Sequence, residues 1–506
     1  MSGPQARDGG ALPMSGHTLV LGRERALELA AEAIRSALAA GADEAEVVLM
    51  TEDSGLTRYA ANQIHQHVAE RNIEVRVRAA VGSHVAVAAG NQPTAEAAGK
   101  LGERAAAMAS RSPEDPYFFG LPAPSDSPYV DQNTFYASTA ELEPADRAAT
   151  VLGIVELLRG AGAQGFGAIT SAVSELTVVN SHGLHAYQAF TDAWVSVVAQ
   201  RERVTPRGAA ALQALTTADR LGGAPELLPP AVRPCSGFAT SCHRNWTEVD
   251  AEAATLRALA KASLEPPRHV SPGRYTVVLE EEAVSEMLGF LAYGALNGLE
   301  YLEGKSPFTG RLGERAYPSW ITLRDDPTDA RGANVSVDFE GVPKAPLTLI
   351  REGTLEQVAW DSATARRLGI KTTGHALPAP NPHGPMPLNL VLSPGAHTKS
   401  QLVAEVERGL LITRFHYVNE VDPAKTLLTG MTRDGTFLIE DGRVTGPVQD
   451  LRWVESIEGV LRRTRAIGDA VRLISEGPGY GIRFLTGSLV PALLVDDFEI
   501  TGSAEG

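Results

Sequence analysis

Cysteine is almost missing from this chain: Cys235 and Cys242 are the only two in 506 residues. No disulfide framework can hold the fold, and a reducing, cytoplasmic setting is the simplest expectation. Basic residues are also in short supply, with 45 Lys and Arg against 61 Asp and Glu and a net charge of −16. Without a clustered Lys/Arg surface, nucleic acid is not an expected partner. No run approaches the roughly 18 apolar residues of a membrane span, so no membrane partner is expected either. Residues 1–16 are rich in Gly, Pro and Ser and lack the apolar core of a signal peptide, which marks them as a disordered start. There is no Gly-x-Ser-x-Gly elbow and no Gly-x-x-x-x-Gly-Lys-Ser/Thr phosphate loop, which argues against a serine-triad hydrolase and a P-loop enzyme.

What remains is ordinary soluble composition, 43% hydrophobic and 21% charged, long enough for two or three domains. Residues 24–40 read as an Ala/Leu-rich helix closed by Gly41. Extended segments follow at 46–50, 56–64, 73–79 and 84–89, and then a helix at 94–110 with Thr94 as its N-cap. The order recurs: a helix at 144–159, extended segments at 168–171, 176–180, 185–190 and 193–200, and a helix at 246–264. A duplicated helix–strands–helix unit is therefore expected over 17–264. Beyond Pro266-Pro267, short extended runs with Gly turns dominate (320–323, 347–351, 437–440, 489–498), with short helices at 362–368, 399–408 and 455–465. The expectation is an α+β protein, its duplicated N-terminal domain followed by a β-rich C-terminal domain over 268–506 built around a central helix.

That central stretch is Thr276-Val-Val-Leu-Glu280-Glu-Glu-Ala-Val-Ser-Glu286-Met-Leu-Gly-Phe-Leu291, a short β-branched strand running into a helix. Val284, Met287, Leu288, Leu291, Ala295 and Leu299 fall on one helical face. Glu280, Glu281 and Glu282 suit a first helical turn, where carboxylates meet exposed N–H groups and the positive end of the dipole. The plain reading is a solvated first turn. Glu282 and Glu286 share a face at i, i+4, whereas Glu281 and Glu286 at i, i+5 point about 140° apart. Carboxylates at these positions could serve a hard cation such as Mg²⁺ or Mn²⁺. Cys235, Cys242 and His243 make a poor zinc trio, lacking a fourth ligand, and read as two reduced thiols in a linker. The histidines at 375, 383, 397 and 416 have no metal spacing. His375, with Asn381 and His383 close behind, is the most interesting of them for a substrate-side role, although an exposed loop is the ordinary reading.

The chain resembles the TldD/PmbA family, the "modulator of DNA gyrase" metallopeptidases. Glu281-Glu-Ala-Val-Ser-Glu286 lies where that family carries His-Glu-x-x-x-His. Ser306-Pro-Phe308-Thr-Gly310, Asp338-Phe-Glu340-Gly341-Val342-Pro343, Asp361-Ser-Ala363-Thr-Ala365, Thr373-Gly374-His375-Ala376 and Thr429-Gly430 follow in the family's order. Tyr59-Ala-Ala-Asn62 and Val179-Asn180-Ser181-His182-Gly183 match more loosely. The resemblance implies a zinc peptidase built of two related chains, one bearing the histidine motif and a C-terminal cysteine ligand, the other of TldE type and ligand-free. Here Glu281 and Glu286 stand at the degenerate metal positions, only Glu282 matches the motif's general base, and no cysteine follows. The implied role is a non-catalytic subunit without a metal of its own, shaping the substrate channel for peptide or amide hydrolysis. Its partner would be a TldD-like paralogous chain holding the zinc, in a heterodimer. A self-sufficient hydrolase with a carboxylate-bound metal, or a subunit of a small-molecule amide hydrolase, remains the alternative.

Overall fold

In the computed structural model, residues 18–125, 133–201, 235–333, 335–475, 477, 483 and 485–503 are described. The expected disordered start, 1–16, lies outside them, as does most of the Pro/Gly-rich connection at 222–237.

Among the described residues, the first half is one six-stranded antiparallel sheet carrying four long helices. Its strands are β1 (Glu44–Ala60), β2 (Gln63–Val81), β3 (His84–Gly90), β4 (Ala163–Asn180), β5 (His185–Arg201) and β6 (Ser236–His243), in the spatial order β3-β2-β1-β4-β5-β6. Helices α1 (Arg23–Ala39) and α2 (Ala95–Ala109) cover one end, and α3 (Pro144–Gly160) and α4 (Ala251–Lys261) the other. The helix–three strands–helix order thus occurs twice, with β1 and β4 paired antiparallel where the two copies meet. Alanine and glycine make the close packing of α1 on α2 workable. A Cβ on Gly102 would stand 2.1 Å from the Ala33 carbonyl oxygen.

The separate extended segments expected at 46–50 and 56–64 are instead one 17-residue strand and the start of the next. Polar residues 51–54 look like a loop in sequence. In the fold, Thr51 is buried and its hydroxyl donates to Glu175 Oε2 at 2.7 Å, while Asp53 pairs with Arg71 at 2.8 Å. Glu175, 1% exposed, also accepts the backbone N–H groups of Val20, Leu21 and Gly22, tying the start of α1 to the sheet. The pieces expected at 168–171 and 176–180 merge into β4 around it, and those at 185–190 and 193–200 into β5. The real turn is Ala61-Asn62, both at positive φ (48° and 62°), the pattern of a tight hairpin.

The second half encloses a helix between two sheets. β7 (Gly273–Leu279) lies within a nine-stranded sheet, parallel to Arg408–Ile412 and antiparallel to Leu493–Ser503. It feeds α5 (Glu281–Phe290). The other sheet has six strands, among them Leu323–Asp325, Leu347–Arg351, Leu390–Leu392 and Arg472–Ile474. Val284, Met287, Leu288, Leu291 and Ala295 are buried in the core between these layers with Leu323, Ile350, Leu390, Leu410 and Phe415. Leu299 falls out of this stripe and is half-buried. The reason is local: α5 widens into a π-helical turn at Leu291–Ala295, and Asn297 then caps a new short helix, Gly298–Leu302.

Two further differences have equally local causes. The run expected at 320–323 is extended only from Leu323, because residues 318–321 form a turn in which Ile321 N donates to the Pro318 carbonyl at 3.0 Å. The run expected at 489–498 is cut at Pro491 into Ser488–Val490 and Leu493–Ser503, since proline lacks the N–H that a continuing ladder needs.

Candidate functional site

Helix α5 starts where β7 ends, with the Glu280 N–H donating to the Ile412 carbonyl at 2.9 Å and its own carbonyl accepting from Val284 N at 3.0 Å. The expectation of a solvated first turn is overturned here. Glu280, Glu281 and Glu282 are 6%, 3% and 6% exposed. They sit where α4 and β6 of the first half close over the helix start, so their carboxylates lose water and take cations instead.

Those cations come from three separate elements. Lys261, the last residue of α4, places Nζ 2.7 Å from Glu280 Oε2 and 3.9 Å from Glu282 Oε2. Lys399, at the start of the helix Lys399–Ala404, lies 3.0 Å from Glu280 Oε1 and 3.0 Å from Glu281 Oε2. The Arg472 guanidinium is 3.2 Å from Glu282 Oε1 and 3.4 Å from Glu281 Oε2, and donates to the Thr240 carbonyl of β6 at 3.1 Å. Burial works to raise the Glu280 pKa, but Lys261 and Lys399 outweigh it and hold the carboxyl down at about 2. The same carboxylates push Lys399 and Arg472 up against the opposing cost of burial.

Three carboxylate oxygens of this trio, one per residue, come within 4.8 Å of one another, near enough for a shared cation. Yet every carboxylate already faces an ammonium or guanidinium, and three positive side chains would oppose any added metal charge. A hydrolytic zinc needs a ligand set and an open position, and the residues present do not fit one.

Helix periodicity sends the remaining motif residues elsewhere. Glu282, Ser285 and Glu286 line a cavity of about 280 Å³ between the halves, together with Trp194, Phe238 and Arg414. Ser285 and Glu286, with Ile474 and Ser475, are also in the wall of a neighbouring cleft of about 490 Å³. Glu281 is turned to Lys399 and Arg472 on another side, so Glu281 and Glu286 do not converge.

His375 is 1% exposed, not on an exposed loop as expected. Its Nε2 is 3.3 Å from Asp325 Oδ1, and Lys344 Nζ is 3.4 Å from the same oxygen. Burial first, then the Lys344 charge, keeps the imidazole pKa low. Asp325 is held well below the usual carboxylate range by Lys344 and His375 despite its burial. This trio lines neither cavity. Asn381 closes a turn, accepting from His383 N and donating to the Gly384 carbonyl. His383 reaches the cleft only through Tyr293, whose hydroxyl is 2.8 Å from its Nδ1. Cys242 lies buried in β6 rather than in a linker, and burial pushes both thiols up to about 12. The His243 ring takes backbone partners, accepting from Asn245 N at Nδ1 and meeting the Ala330 carbonyl at Nε2.

Sequence reasoning missed Lys261, Lys399 and Arg472. Arg472 and Lys399 stand 190 and 119 residues from their glutamates, and no local pattern marks them. The one available signal was the need of three adjacent glutamates at a packed helix start for countercharge.

Residues 272–502 match the family profile described as the PmbA/TldA metallopeptidase C-terminal domain. A metalloprotease of Methanothermobacter thermautotrophicus is 29% identical over 241 residues, 46% of this chain and 49% of the relative. A metalloprotease TldD homolog of Haemophilus influenzae is 30% identical over 207 residues, 39% of this chain and 42% of the relative. The chain thus spans about half the length of the curated relatives it matches. The crystal structure of TldE from Thermococcus kodakarensis superposes with a TM-score of 0.78 over 94% of this chain and 100% of that one, at 19% identity. That likeness shows a common fold across nearly the whole chain.

Proposed function

This chain belongs to the TldD/PmbA family of metallopeptidases, and from that premise we propose that it is a TldE-type subunit without a hydrolytic metal of its own. In this reading it pairs with a TldD-like paralogous chain that holds the zinc, and it forms one wall of the channel in which peptide or amide bonds are cut. The observation that carries the reading is the ion cluster at the motif: Lys261, Lys399 and Arg472 neutralise the glutamates where a metal would need open ligands. An inactive site under no demand to bind metal can be closed over by its own cations, and the cluster then fastens α4 and β6 to the motif helix. Related chains can meet through equivalent surfaces, which fits a family built of paralogous pairs.

Elemental analysis of the purified chain, followed by co-expression with its TldD-like neighbour and light scattering, tests this. The expected result is zinc far below one per chain and a heterodimer with the neighbour. Within that complex Glu282→Gln should leave the hydrolysis rate nearly unchanged, whereas removal of a general base typically costs 10²–10⁴-fold. A chain that stays monomeric beside its neighbour, or a large rate loss in the mutant, overturns the proposal. The proximity of the three carboxylates favours one other reading, a hydrolase with its own oxygen-bound metal. Stoichiometric Mg²⁺ or Mn²⁺ in the lone chain would establish it.

A further inference from the structure

The outer edge of β6 brings two guanidinium groups to one oxygen. β6 is an edge strand, so the carbonyls on its outer side have no neighbouring strand. Cations of α4 take them instead. Arg257 and Lys261, at i and i+4 on one face of the helix, donate to the Thr240 carbonyl at 3.0 Å and to the Phe238 carbonyl at 3.1 Å. Arg472 donates to the same Thr240 oxygen at 3.1 Å.

The countercharge of the two arginines is unequal. Arg472 faces Glu281 and Glu282. Arg257 is half-buried, and among the described residues no carboxylate forms an ion pair with it. Its Nε is buried without a hydrogen-bond partner. Burial and then the Arg472 charge pull its pKa down, and Glu282, Asp250 and Glu281 offset this only in part. An anion beside Arg257 would relieve the repulsion and give the guanidinium an acceptor.

Both arginines stand in the wall of a cavity of about 520 Å³, a size that suits a small organic ligand. Val471, Leu473 and Leu489 give it an aliphatic side. Arg331 is in the wall too, already paired with Asp329 at 2.7 Å. Glu248 and Asp250 complete the charged lining, so a wall that favours one negative charge at Arg257 opposes a second.

We propose that this cavity binds a carboxylate carried on a short aliphatic chain, with the carboxylate on Arg257 beside Arg472 and the chain against Val471, Leu473 and Leu489. The C-terminus of a peptide ending in an aliphatic residue and a free aliphatic acid share that chemistry. As the anchor of a peptide end within a substrate channel, the inference rests on the subunit reading above; as a binding site, it can be measured on the chain by itself.

The experiment is calorimetric titration of the full chain with isocaproate, isocaproamide and inorganic phosphate, and with an acetylated tripeptide ending in leucine, as the free acid and as the C-terminal amide. Isocaproate should bind about tenfold more tightly than isocaproamide, the gain of a charge-assisted pair with an arginine that lacks other countercharge. Phosphate should bind more weakly than isocaproate. Arg257→Gln should remove most of the gap between acid and amide. Because that variant also disturbs a bond to β6, Glu248→Gln reads the same wall from an exposed position. Removing this like charge should tighten isocaproate about twofold and leave isocaproamide unchanged. A tripeptide acid that outbinds its amide identifies a peptide end as the source, and discrimination confined to isocaproate identifies a free acid. Equal binding of isocaproate and isocaproamide, phosphate binding as tight as that of isocaproate, a gap that survives Arg257→Gln, or a Glu248→Gln variant that holds isocaproate no more tightly than the parent overturns the proposal. The titrations require no partner and no zinc, so failure of the heterodimer leaves them readable.

Discussion

Lys399 Nζ stands 3.0 Å from Glu280 Oε1 and 3.0 Å from Glu281 Oε2, one ammonium bridging two carboxylates that are adjacent in the chain. Both glutamates are buried, so the bridge holds charges that water would otherwise solvate. The Lys399 side chain is 40% exposed, and Lys261 and Arg472 stay with the two carboxylates when it is removed. Lys399→Met should therefore destabilise the protein by about 1 kcal/mol, read as a shift in the urea midpoint at unchanged slope. A midpoint within experimental scatter of the parent would mean that solvent, not Lys399, balances the cluster.

The same cluster sets an acid limit. Glu280 is depressed to about 2 in the folded state against an ordinary value of 4.5. A depressed carboxyl contributes stability that is present above its unfolded pKa and lost as pH falls through the folded one. Between about pH 5 and 2 the protein should lose about 3 kcal/mol through this residue. Glu280→Gln should flatten that part of the stability–pH curve, and an equally steep curve in the mutant would count against the linkage.

Emptying the cluster of cations should raise its affinity for a divalent metal ion. In Lys261→Met with Lys399→Met, three neighbouring carboxylates would face Arg472 alone, an arrangement that suits a hard divalent ion. Millimolar Mn²⁺ or Ca²⁺ should raise the melting temperature of the double mutant by several degrees and leave the parent where it was. A parent that responds as strongly as the mutant would show that its ammonium groups do not exclude the ion.

Asn62 combines a positive φ of 62° with a side chain that accepts from Gly165 N at 2.8 Å and donates to the Ala163 carbonyl at 3.0 Å. Asn62→Gly keeps the turn and loses the bonds, while Asn62→Ala loses both. Alanine should cost more than glycine, by about 1 kcal/mol, in thermal unfolding. Equal costs for the two variants would place the whole effect in the hydrogen bonds.

Both thiols are held protonated by burial, at about 12. At pH 8 the native chain should react with far less than one equivalent of iodoacetamide in the time that urea-unfolded chain takes up two. Rapid modification of Cys242 in the native state would mean that β6 opens locally.

The periodicity of residues 284–295 alone determined that a helix with a buried apolar face follows β7, because a 3.6-residue repeat of Val, Met and Leu has no other stable placement. Spacing likewise put Glu282 and Glu286 on one face and turned Glu281 away from them. The α+β class and the twofold helix–strands–helix order were legible for the same reason, since each rests on contacts between near neighbours. Strand length was not, because whether Thr51–Ser54 and Ser174–Glu175 interrupt a strand depends on partners such as Arg71 and the N–H groups before α1. The ion pairing of the motif was decided by tertiary structure alone. Three glutamates at a helix start are solvated on an open surface and paired when buried, and only the folded chain brings Lys261, Lys399 and Arg472 to them.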